Sequence, residues 1–182
     1  GSQFSIDFMF GCQTSETGLF RTQLADGIMG MAMATDTLPA QLVEQKRMSS
    51  NIFAMCFRVG GGIMTLGGVD QRIHTQTGIK YAAIKSGDGW YTVTVQDIKL
   101  VDHSIGGNKK SIGPSVASTL SGKGTIVDSG TTDTYLPTTI AADFQRVFKE
   151  ITGVTFSSAN IAISDAELLK MPDIVFVIAG AN

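Results

Sequence analysis

A mostly β fold is what this sequence predicts, and three observations predict it. Apolar runs of roughly four to eight residues recur along the chain and are closed by glycine or small polar residues, as strands are. Glycine is abundant, at 21, and proline sparse, at 4, which suits many tight turns. Tyr91, Val93 and Val95 keep a period of two until Gln96-Asp97-Ile98 breaks it, the alternation of a half-buried strand.

Taken in order, Ser5 to Gly11 reads as a first strand, rich in aromatic and other apolar residues. Ala25 to Met31 is apolar but studded with glycine. Asp36-Thr37-Leu38-Pro39 is a helix start, with Pro39 near the first turn, where its missing N–H costs little. Leu38, Leu42 and Val43 then share a helical face. Asn51 to Phe57 and Gly62 to Leu66 are the next strands, followed by Ile79 to Ile84 and Tyr91 to Leu100. Lys109 to Gly124 is Ser/Gly-rich and polar, and is expected to be a surface hairpin or flexible connection. Thr125 to Val127 is a short strand. Pro137 opens a helix in which Ile140, Phe144, Val147, Phe148 and Ile151 recur at helical spacing, and Gly153 closes it. Asp173 to Ile178 is the last strand.

Composition excludes several functions. Hydrophobic content of 43% against 16% charged rules out a disordered tail. A formal charge of −2 offers no phosphate-seeking surface, so no nucleic-acid partner is expected. No apolar run approaches the roughly 20 residues that span a bilayer. The N-terminal residues show no signal-peptide pattern. Cys12 and Cys56 fit no zinc spacing, so no metal site is expected. On their residues alone they are either two buried free thiols or one disulfide of an oxidising compartment.

The chemistry sits in Ile126-Val127-Asp128-Ser129-Gly130-Thr131-Thr132. A carboxylate acts as a general base only if its proton affinity and its geometry are both fixed. Ile126 and Val127 bring the backbone out of a strand, and Gly130 is expected to allow a sharp turn at positive φ. The hydroxyls of Ser129 and Thr131 can brace the loop and donate to the Asp128 carboxylate, favouring its charged form. The tetrapeptide alone is modest evidence, because it arises by chance in roughly one chain in a hundred of this length.

The order of the surrounding landmarks adds more. The Asp26-Gly27-Ile28-Met29-Gly30 segment, the strand Asn51 to Phe57, Ile63-Met64-Thr65-Leu66-Gly67-Gly68-Val69-Asp70, Trp90 to Val95, the Asp128 loop and Leu168 to Ile178 together resemble the pepsin-like aspartic peptidase family, in that family's order. The resemblance implies a bilobal pepsin-like β-barrel fold, truncated at both ends. Residues 1–60 would be the end of the first lobe, 61–89 an inter-lobe sheet region, and 90–182 an incomplete second lobe. It further implies peptide hydrolysis by a water held between two aspartates, one per lobe, without a metal or cofactor. Asp128 would be the second-lobe catalytic aspartate, with Ser129, Gly130 and Thr131 supporting its loop. Ser129 stands where threonine is more usual. Ile28, Trp90, Ile126 and Thr132 would lie near a peptide or protein substrate. Asp26 and Asp70 would be structural, and His74 and His103 surface residues. No Asp-Thr-Gly precedes Asp26, so the first catalytic loop and its flap are absent.

Cys12 and Cys56 look like a joined pair of the nepenthesin-like branch, which implies a Cys12–Cys56 disulfide. The family also implies a monomer in a secreted, endomembrane or vacuolar setting. Two other readings use the same residues: an inactive binding or inhibitor protein on this fold, and a retroviral-type homodimer. The second wants a hydrophobic-hydrophobic-glycine segment downstream of the motif, whereas Ile28-Met29-Gly30 lies upstream.

Overall fold

Strands and helices here form where an apolar stripe finds a partner, and fail where it does not. The structure, a computed structural model, describes residues 3–73, 78–85 and 87–180. His74 lies outside them. The chain divides into two compact units, Gly1–Ile79 and Lys80–Asn182.

In the first unit, helix α1 spans Leu38–Glu44. Thr37 precedes it in an extended conformation, and Pro39 occupies its first turn, as the sequence predicts. Pro39 and Leu42 are its buried side chains. Strands β1 (Phe53–Arg58) and β2 (Gly61–Leu66) pair antiparallel in unbroken register from Phe53–Leu66 to Arg58–Gly61. Gly60, at φ 80°, makes the reversal between them.

Two expectations fail in this unit. Ser5 to Gly11 is no strand: it is largely exposed, and Asp7 instead exchanges hydrogen bonds with the Gln45 side chain just beyond α1. A strand exists only as part of a ladder, and aromatic content does not supply one. The Cys12–Cys56 disulfide is likewise corrected. Both cysteines are free and exposed. Cys56 is fixed in β1 opposite Ile63, while Cys12 lies in a stretch without regular structure that no ladder draws to β1. Nor are they buried thiols.

The second unit holds a three-stranded antiparallel sheet with order β5-β4-β7, built from β4 (Val95–Asp102), β5 (Asn108–Ser111) and β7 (Asp173–Ile178). The ladder between β4 and β7 shifts register between Val95 and Asp97, where the period of two breaks in the sequence. Ile79 to Ile84 forms only an isolated bridge, Ala82 to Gly180. Lys109 to Gly124 is not a connection either: it supplies β5 and then helix α2 (Ser115–Lys123). Ile112, Val116 and Leu120 bury their side chains in the core, and this decides the local structure despite the Ser/Gly composition.

Helix α3 (Thr138–Thr152) ends at Gly153, whose φ of 73° is a left-handed cap. Its Ile140, Phe144 and Val147 pack with Val93, Val95, Ile98 and Leu100 in one apolar cluster. Phe144 and Phe148 stack, and Phe156 meets both edge-on. Helix α4 (Asp165–Leu168) opens with a capping box between Ser164 and Glu167. A small second sheet pairs β3 (Thr92–Val93) with β6 (Thr125–Ile126), and β6 leads directly to Asp128. The whole is a mostly β architecture of small sheets with few helices, and no closed barrel forms among the described residues. No helix among those residues is long and apolar enough to cross a membrane.

Candidate active site

Asp128 is placed by its two flanks. On the N-terminal side, Thr92 pairs with Ile126 and Val93 with Thr125. The ladder is continued by the Val127 N–H donating to the Tyr91 carbonyl at 3.0 Å. On the C-terminal side, Leu136 packs against the core just before α3 begins. The loop between is exposed, so its form depends on its own hydrogen bonds.

Those bonds converge on the carboxylate. The Gly130 N–H donates to Asp128 Oδ1 at 2.8 Å, and the Thr131 hydroxyl donates to Oδ2 at 2.5 Å. Both bonds favour the charged form, and they hold the Asp128 carboxyl below the usual carboxylate range, Thr131 contributing most and Gly130 next. No cation takes part in that shift. Asp70, by contrast, is pulled to about 2 by the Arg72 guanidinium that clamps it, the ordinary way a surface carboxylate is lowered. The Asp128 carboxyl is lowered by neutral donors of its own loop, with no cation among the described residues contributing.

Gly130 serves the loop differently from the expected turn. Its φ is not positive. A Cβ built there would lie 3.2 Å from Asp128 Oδ1, a tight contact that the carboxylate folded back over this backbone would have to relieve by a few tenths of an ångström. Ser129 is exposed and gives no hydrogen bond to Asp128, so the bracing hydroxyl is that of Thr131.

The remaining site residues divide between the units. Ile126 sits on β6 and Thr132 just past the loop, both exposed. Trp90, 51% exposed, stands one residue before Tyr91, whose carbonyl extends the ladder to the strand that leads to Asp128. Ile28 belongs to the first unit, where it is 69% exposed although its segment is apolar. Asp26 is exposed as well, and His103 meets Asp173 at 3.2 Å on the surface. Among the described residues, no group of three or more His, Cys, Asp or Glu side chains is placed to hold a metal.

Gly124 escapes sequence reasoning. It has φ 82° and ψ 159°, a region open only to glycine, and a Cβ there would fall 2.5 Å from Thr92 Cγ2. The signal was present, a glycine directly before the strand that carries the motif, but nothing in the sequence says which neighbour crowds it.

The family model for eukaryotic aspartyl proteases matches residues 3–182. The chain belongs to that family. Among relatives, it is 28% identical to the Arabidopsis thaliana aspartyl protease AED1, over 97% of this chain and 37% of that protein. It is 33% identical to aspartic proteinase 36 of the same plant, over 72% of this chain and 26% of that protein. It is 26% identical to embryonic pepsinogen of Gallus gallus, over 94% of this chain and 43% of that protein. The chain thus spans less than half the length of each of these aspartic protease relatives.

Because the Asp128 carboxyl is lowered by its loop, a pH prediction follows with a definite sign. Its charged form is fully favoured above the ordinary carboxylate range, and that contribution is lost as pH falls through the lowered value. Thr131→Val removes the larger cause. Carbon-detected NMR of the Asp128 carboxyl is expected to show its titration moving upward, toward the ordinary range.

Proposed function

We propose that this chain contributes one catalytic aspartate, Asp128, to a pepsin-like endopeptidase whose other aspartate comes from a segment outside the 182 residues. The observation that carries the reading is the exposed carboxylate just past β6, its charged form favoured by Thr131 and Gly130 with no cation among the described residues contributing. Family membership supports a hydrolase, and the chain's share of its relatives' length supports an external partner. The Asp-[Ser/Thr]-Gly pattern occurs once in this sequence.

In the whole enzyme, two carboxylates brought close together cannot both ionise cheaply, so they titrate as a pair. The hydrogen bonds on Asp128 lower the first step of that pair. The charged member then takes a proton from a bound water, which attacks the scissile carbonyl, and the protonated member donates to the carbonyl oxygen. Gly130 leaves room beside Oδ1, and Ile126, Thr132 and Trp90 would flank a peptide or protein substrate. Ile28, in the first unit, is proposed as a further substrate contact. Ser129 would support the loop from its solvent side. On this reading residues 1–60 close the first lobe, 61–89 form an inter-lobe region and 90–182 most of the second. The whole protein would act as a monomer in a secreted or vacuolar compartment.

The test is inhibition by a peptide mimic whose central hydroxyl replaces the attacking water, as in statine-type compounds. Such a mimic binds more tightly than the matching substrate because it resembles the transition state. The whole enzyme is expected to be blocked competitively, and the 182-residue chain alone to cleave nothing. Cleavage that persists at saturating mimic, or by the isolated chain as a monomer, would refute the two-aspartate reading.

A further inference from the structure

We propose that Asp88 is a positioning residue of this site, holding Trp90 and the strand that backs Asp128; the proposal rests on the catalytic reading of Asp128. Asp88 Oδ1 accepts the Trp90 backbone N–H at 3.0 Å, and Oδ2 accepts the Thr92 hydroxyl at 2.7 Å. Each oxygen of one carboxylate therefore secures a different residue of the segment that pairs with the strand leading to Asp128.

Thr92 is the point where this matters. It is 2% exposed, it pairs with Ile126, and its methyl group lies against Gly124 where β6 begins. The bond to Asp88 fixes the Thr92 rotamer, and that rotamer sets how closely β3 and Gly124 approach. The Thr92 carbonyl is held in turn by the Lys85 N–H at 2.8 Å, and the Lys85 ammonium reaches the Ser121 carbonyl at the end of α2. β3 is thus held at Thr92 through both its side chain and its carbonyl, leaving the Tyr91 carbonyl to receive the Val127 N–H one residue after Trp90.

The chemistry of the residue suits that role. A carboxylate offers two acceptor oxygens, so it can take an N–H and an O–H together, and its charge strengthens both bonds. Those donors also keep Asp88 ionised, with Thr92 the larger cause and Trp90 next. Alanine would leave a buried Thr92 hydroxyl without its acceptor. Asparagine keeps one acceptor oxygen, and its amide can donate to a Thr92 hydroxyl that has turned.

The role separates from plain stability because Trp90 would form a wall of the substrate cleft. Losing its anchor weakens substrate binding more than the chemical step. Trp90 is the single tryptophan of the chain, so its fluorescence reports how firmly the backbone segment bonded to Asp88 is held.

The experiment has two arms. In the 182-residue chain, Asp88→Ala is expected to lower the Trp90 fluorescence anisotropy and raise its quenching by acrylamide, with Asp88→Asn close to the parent. In the whole enzyme, Asp88→Ala is expected to raise KM about tenfold, the equivalent of one lost charged hydrogen bond, with kcat held within about twofold. Asp88→Asn should restore most of that KM. Unchanged anisotropy and KM in Asp88→Ala would overturn the proposal, as would equal losses in kcat and KM in both variants that merely follow thermal stability. Should Asp128→Asn remain active, the catalytic reading fails, while the fluorescence arm still decides whether Asp88 holds Trp90.

Discussion

Asp128→Asn is expected to reduce peptide hydrolysis by the whole enzyme about a hundredfold to ten-thousandfold while leaving the second unit folded. The scale follows from the chemistry, because general base catalysis contributes about 10² to 10⁴ in rate and an amide cannot take the proton from water. The fold should survive because Asp128 is exposed and makes its hydrogen bonds only within its own loop. An asparagine oxygen can still accept one of those bonds. Loss of rate without loss of structure distinguishes chemistry from support. It also separates this reading from a binding protein on the same fold, for which the substitution should leave ligand affinity nearly intact.

The second large effect is on stability. Gly124→Ala places a Cβ 2.5 Å from a methyl group of buried Thr92, at a backbone conformation reserved for glycine. Such a conformation costs a side-chain-bearing residue about 1 to 3 kcal/mol, and overpacking adds about 1 to 3 kcal/mol more. Together they would consume a large share of the roughly 5 to 15 kcal/mol that holds a domain folded. Urea unfolding followed by Trp90 fluorescence should show a loss of about 2 to 6 kcal/mol. Gly122→Ala is the control. That glycine lies in α2 with open space around it, so the change should be neutral or stabilising by up to about 1 kcal/mol. If both variants unfold alike, the close approach of β3 to β6 is not what demands glycine at 124.

What the sequence made legible was whatever rests on local periodicity. The helix from Thr138 was visible because Ile140, Phe144 and Val147 repeat at helical spacing and all are buried. Strands β1 and β2 were visible as two apolar runs, though not their pairing, and the register shift near Gln96 falls where the alternation breaks. Three misreadings share a different cause. α2 was hidden because only Val116 and Leu120 carry its stripe, among serines and a glycine, and the sheet it covers supplied the rest. Ser5 to Gly11 has strand composition but no ladder, since Gln45 satisfies the peptide groups of Asp7. The cysteine pairing came from resemblance, and a disulfide requires two backbones to meet, which spacing cannot establish.

The site was legible in the same partial way. Asp128, Gly130 and Thr131 could be named from the motif, because a carboxylate, a small residue and a hydroxyl within four positions can close on one another. The reason for Gly130 could not, since close approach of a side chain is a fact of folding and not of composition. Asp88 was invisible for a similar reason. Asp88-Gly89-Trp90 reads as an ordinary turn until Thr92 is seen paired to the strand that leads to Asp128.

The catalytic role of Asp128 is tested most directly by steady-state cleavage of a fluorogenic peptide by the whole enzyme carrying Asp128→Asn, with far-ultraviolet circular dichroism confirming the folded state. Background cleavage from a protein folded as the parent is the expected result. Cleavage at a rate near the parent's, from that same folded protein, would contradict it.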